Sequence, residues 1–131
     1  MNSLGHKGAK ALSIVIIIFV LFSVLAMQAS AISIKSGQVR AHSDGGWATV
    51  DKKISGLSPG TTAVVVLSGW SFDSDYPSDG QTAIWLWDIT EDYWATEFPV
   101  SDSGEINVRF IGLYSDTNPF DFLVNYAVIG I

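Results

Sequence analysis

Phe120-Asp121-Phe122-Leu123-Val124-Asn125-Tyr126-Ala127-Val128-Ile129 repeats its large apolar side chains at every second position. Side chains of an extended strand point alternately to opposite faces, so a period of two marks a β-strand. Phe120, Phe122, Val124, Tyr126 and Val128 fall on one face, and Leu123, Ala127 and Ile129 on the other. The same doubling occurs in Ala83-Ile84-Trp85-Leu86-Trp87-Asp88-Ile89. Its one face carries Ala83, Trp85, Trp87 and Ile89, and its other carries Ile84 and Leu86 before Asp88. Strands apolar on both faces are covered on both, here by a facing sheet and by a neighbouring subunit. Trp47, Trp85 and Trp87 are accordingly expected in the core.

Outward from these two stretches, no segment after residue 31 sustains an i, i+3, i+4 apolar pattern. Runs rich in Val, Ile, Thr, Trp and Tyr predict strands over 32–41, 47–54, 62–70, 81–89, 93–100, 105–113 and 120–129. Between them lie Asp44-Gly45-Gly46, Ser58-Pro59-Gly60, the segment 73–80, Thr90-Glu91-Asp92, Asp102-Ser103-Gly104 and the segment 115–119. Such residues accept positive φ or bond their own backbone in turns. The expected fold is all-β, an antiparallel six- to seven-stranded β-sandwich in a single domain over 32–131.

Residues 1–31 read differently. Lys7 and Lys10 form a basic front, an apolar run over 11–26 is broken only by Ser13 and Ser23, and Ala29-Ser30-Ala31 follow polar Gln28. This pattern predicts a signal helix cleaved after Ala31, hence a secreted or cell-surface domain. An uncleaved membrane anchor is the second reading, since the run is near the lower limit of a spanning helix. A prepilin cut after Gly8 is the third, with a structural, pilin-like filament subunit as the alternative function. Only the amino-terminal segment would touch a membrane.

Composition narrows the function further. Residues 32–131 hold five cations (Lys35, Arg40, Lys52, Lys53 and Arg109) against all 13 Asp and Glu. A domain that acidic is repelled by nucleic acid and by anionic lipid. The chain has no cysteine, which removes disulfides, thiol catalysis and cysteine-held metal.

Several stretches together resemble the H-type lectins, the snail-agglutinin and discoidin C-terminal family. Ile34-Lys35-Ser36-Gly37-Gln38-Val39, followed by Asp44-Gly45-Gly46-Trp47-Ala48-Thr49-Val50, is similar to that family's opening. Ile54-Ser55-Gly56-Leu57-Ser58-Pro59-Gly60 is similar to its proline-containing turn. Leu86-Trp87-Asp88-Ile89-Thr90 with Trp94, and the closing Leu123-Val124-Asn125-Tyr126-Ala127-Val128-Ile129-Gly130, resemble its later strands. The resemblance covers nearly all of 32–131 in order. It implies a six-stranded sandwich, a homo-oligomer that is commonly a trimer, and glycan binding at protomer boundaries. Gln81 stands where the family carries an Arg, Tyr114-Ser115 where it carries Trp-His, and Phe120 where it carries a Tyr. Asp51 is the acid nearest the family's sugar-bonding one.

Sugar recognition needs an aromatic face for the apolar side of the ring and short polar groups for its hydroxyls. Tyr114, Ser115, Asp116, Asn118 and Phe120 offer both in one loop, and Gln81 is expected nearby. These are the candidate carbohydrate-binding residues. Asp73, Asp75 and Asp79 are oxygen ligands spaced closely enough to suggest Ca²⁺, and no other cofactor is implied. His42-Ser43-Asp44 cannot form a catalytic chain, because neighbours in one turn cannot orient one another. No catalytic residue is singled out, so the domain is expected to bind and not to catalyse.

Overall fold

A computed structural model describes residues 32–130, and every regular element in them is a strand. In chain order these are β1 (Ser33–Ser43), β2 (Trp47–Ile54), β3 (Thr62–Asp73), β4 (Ala83–Asp88), β5 (Tyr93–Trp94), β6 (Glu97–Pro99), β7 (Ile106–Leu113) and β8 (Phe120–Gly130). They form two antiparallel four-stranded sheets, β1-β8-β3-β6 and β2-β7-β4-β5. The expected signal or anchor helix and its cleavage site lie outside the described residues.

Eight strands replace the expected six or seven, because the run 93–100 serves both sheets. Its first part pairs with Trp87 and Asp88, and its last with Thr62, Ala63 and Val64. The chain crosses between the sheets at Ala95 and Thr96. The Ala95 N–H donates to the Leu86 carbonyl at 3.2 Å, and the Val65 N–H donates to the Thr96 carbonyl at 3.0 Å. Pro99, which has no N–H to donate, stands on the edge strand β6, where none is needed.

The core lies between the sheets. β8 buries Phe120, Phe122, Val124, Tyr126 and Val128 on one face, and β7 buries Ile106, Val108 and Phe110 against them. The Phe110 and Tyr126 rings pack with centroids 5.1 Å apart. Burying each such side chain contributes about 1.5–3 kcal/mol. Gly112 lets the sheets close at one point, since a Cβ there would stand 2.7 Å from the Phe122 ring.

In β4 the inward residues are Ile84, Leu86 and Asp88, the reverse of a core built on tryptophan. Asp88 is buried but satisfied, its Oδ1 accepting the Thr90 and Glu91 N–H groups at 3.0 and 3.2 Å. A register shift between Leu67 and Gly69 in β3 turns Trp70 and Phe72 towards the core side. Phe72 then stacks on Tyr114 and contacts Phe120 and Phe122, with centroids 5.4–6.0 Å apart.

Candidate functional site

The loops 73–82 and 114–119 meet at one end of the sandwich, and Asp79 joins them. Its Oδ2 accepts the Ser115 hydroxyl at 2.7 Å and the Asp116 N–H at 2.8 Å. Both bonds favour the charged carboxylate, the Ser115 hydroxyl most, and hold its pKa below the ordinary range. Ser115 is 1% exposed, and its Oγ also accepts the Asn118 N–H at 3.0 Å. The Ser115 carbonyl accepts the Gly46 N–H at 2.8 Å, which ties the turn before Trp47 to the same loop. A buried serine thus organises this end.

Around that knot, Gln81, Leu113, Tyr114, Ser115 and Asp116 border a pocket of about 180 Å³ with Asp79. Gln81 and Asp116 are exposed at its rim. Tyr114 is half-buried, its ring stacked on Phe72 at 5.7 Å and its hydroxyl donating to the Tyr76 carbonyl at 2.6 Å. Phe120 is 2% exposed, so its ring belongs to the core and presents no face to a ligand. Of the six expected residues, Gln81, Tyr114, Ser115 and Asp116 therefore converge on this pocket and Asn118 and Phe120 do not, which leaves one aromatic ring and not two.

The three expected calcium ligands separate. Asp73 and Asp75 border a shallow hollow with His42 and Asp121, whereas Asp79 is engaged by Ser115 and Asp116. Among the described residues, no group of three or more His, Asp or Glu side chains is placed to share a metal ion. His42 sits at the surface with both ring nitrogens held, Nδ1 2.8 Å from Asp121 Oδ1 and Nε2 3.0 Å from Asp44 Oδ1. These two bonds, Asp121 first, raise its pKa. It also lines a groove of about 470 Å³ on the outer face of β1-β8-β3, with Arg40, Ser71, Asp73, Asp121 and Leu123.

The outer face of the other sheet holds what the sequence placed in the core. Trp47 on β2 and Trp94 on β5 are 52% and 53% exposed, and Trp85 and Trp87 on β4 are half-buried between them. Ring centroids lie 4.7 Å apart for Trp47–Trp85, 6.1 Å for Trp85–Trp94 and 4.8 Å for Trp87–Trp94. Beneath this row Ile111, which pairs with Thr49 and Trp85, is only 9% exposed. Beside it, Arg109 Nε and one terminal nitrogen donate to Asp51 Oδ1 and Oδ2 at 2.7 and 2.9 Å. Arg109 pairs in register with both Asp51 and Trp87, so ion pair and rings share one face.

No family model and no curated protein matches this chain.

The tryptophan face was open to sequence reasoning in one respect. Alternation already separates Trp85 and Trp87 from Ile84 and Leu86, and Asp88 shares a face with the latter pair. A buried, capped Asp88 is compatible with the inner face, and that possibility reverses the assignment.

Proposed function

We propose that the protein is an exported glycan-binding module of H-type lectin character, acting at a cell surface or outside the cell. Its support is the convergence of Gln81, Tyr114, Ser115 and Asp116 around one pocket at the end of a β-sandwich. Gln81 and Asp116 provide exposed hydrogen-bonding groups for sugar hydroxyls, and the Tyr114 ring provides an apolar wall. The Asp79–Ser115 knot holds the loop in place before a ligand arrives, which lowers the ordering cost of binding. The module works as a homo-oligomer, a trimer by resemblance, so that several weak sites act together on a multivalent surface. Ile34 and Val66 stand exposed on the outer face of the β1-β8-β3-β6 sheet and supply an apolar surface for self-association.

The test is a glycan array probed with the full chain, followed by the Gln81→Ala and Asp116→Ala variants. Both side chains are exposed, so the variants should melt as the unmodified protein does while losing binding by about tenfold. Tyr114→Ala is the poorer probe, because its ring packs on Phe72 and Phe120. An unmodified protein that binds no glycan on the array would overturn this function in favour of the structural filament subunit.

A further inference from the structure

We infer that the outer tryptophan face of β2-β7-β4-β5 is a second part of the binding site, taking the body of a neutral oligosaccharide whose end sits in the Gln81–Asp116 pocket. The inference rests on the glycan-binding function proposed above and adds the length and charge class of the ligand.

Leu113 borders the end pocket and also lies in register between Trp47 and Ala83 on the outer face. The turn that delivers Trp47 is bonded to Ser115 through the Gly46 N–H. A chain leaving the pocket over Leu113 therefore meets Trp47, then Trp85, then Trp94. Beyond the pocket, the ring centroids step 4.7 Å from Trp47 to Trp85 and a further 6.1 Å from Trp85 to Trp94. A single sugar ring cannot reach across that distance.

The chemistry of the face selects its occupant. Thr49 and the Asp51–Arg109 pair are interleaved with the rings. An apolar partner, whether a second subunit or a lipid surface, would strip water from that ion pair and return no hydrogen bonds. Sugar hydroxyls can replace the lost water on both its charges while the C–H face of the ring covers indole. The rings meet at interplanar angles of 61°, 47° and 87°. They form a stepped surface suited to a flexible soluble chain, not the flat one that a crystalline polymer needs. The excess of acids over bases in 32–131 sets the charge class, since anionic sugars would be repelled.

The experiment compares neutral oligosaccharides that bind on the array with their terminal monosaccharides, using the unmodified protein, Trp94→Ala, Trp47→Ala and Gln81→Ala. The unmodified protein should bind the longer ligand at least about tenfold more tightly, and only the longer ligand should shield tryptophan from acrylamide quenching. Each tryptophan variant should lose that advantage of length yet keep monosaccharide binding, whereas Gln81→Ala should weaken both. Equal affinity for long and short ligands, or quenching unchanged by the oligosaccharide, overturns the inference and leaves the proposed function standing. So does a change of oligomeric state in Trp94→Ala by light scattering, which would make the face a subunit contact. Tryptophan-dependent binding to neutral phosphatidylcholine vesicles, in place of saccharide, would assign it to lipid. Loss of all glycan binding in the unmodified protein would overturn both.

Discussion

Asp79 shows how one carboxylate can set a loop. In the sequence it is one of three acids that suggested calcium, but in the fold it accepts from Ser115 and Asp116 and cross-links two loops. Its pKa is lowered in the folded chain, so the tether is fully present above the ordinary carboxylate range and is lost as pH falls through the lowered value. Hydrogen exchange at the Asp116 amide should therefore stay protected into mildly acidic solution and open only at lower pH. Asp79→Ala should open it at every pH. His42 has the opposite sign. Its raised pKa means that the bridge to Asp121 and Asp44 is complete below the ordinary imidazole value and weakens as pH rises through the raised one. An NMR titration of the His42 ring should show that raised value, and Asp121→Asn should bring it down. A titration unchanged by Asp121→Asn would contradict the bridge.

At the scale of elements, β7 and β8 hold the two sheets together through residues without side-chain alternatives. Gly112 faces the Phe122 ring, and an added Cβ at 2.7 Å must push the ring or part the sheets. Gly112→Ala should cost about 1–3 kcal/mol, read as a lower denaturant midpoint with an unchanged slope. In β3 the extra residue between Leu67 and Gly69 turns Trp70 and Phe72 towards the core side. Ser68 is the residue left unpaired there, so deleting it would close the ladder with Leu67 still opposite Tyr126 and Gly69 opposite Asn125, and Phe72 would keep its contacts with Tyr114, Phe120 and Phe122. The deletion should therefore leave the near-ultraviolet circular dichroism of the Phe72–Tyr114 cluster unchanged, and its loss would contradict this register. Existence and direction of these strands were legible in the alternation of 83–89 and 120–129. The division of 93–100 was not, because its strand-like residues run on through Ala95 and Thr96 without a Gly or Asp turn to mark where it changes sheet.

For the whole molecule, the proposed function would divide the work between the outer faces, self-association on that of exposed Ile34 and Val66 and ligand binding on that of exposed Trp47 and Trp94. Self-association through the first leaves the second free for ligand. Light scattering on the protein should accordingly report a trimer at micromolar concentration, and Ile34→Asp should shift it towards monomer without altering the tryptophan fluorescence. A monomeric unmodified protein would remove the assembly. Export is checked separately by amino-terminal sequencing of the released protein, which should begin at Ile32. A start at Ala9 would favour the filament subunit.

The sequence by itself determined that this domain is built of antiparallel strands, which residues of β8 share a face, and which small and polar residues turn the chain. Those properties are local, fixed by a period of two and by backbone preferences at Gly, Pro, Asp and Ser. It also brought Gln81, Tyr114, Ser115 and Asp116 under one suspicion, and they border one pocket. Only the tertiary structure decided which face of β4 is the inner one. Both faces are apolar, and the choice fell to a buried Asp88 whose oxygen is satisfied by its own turn, leaving the tryptophans outside. Burial of Phe120 and separation of Asp79 from Asp73 were likewise decided there, because each depends on what another strand or loop brings near, and spacing along one chain does not contain that distance.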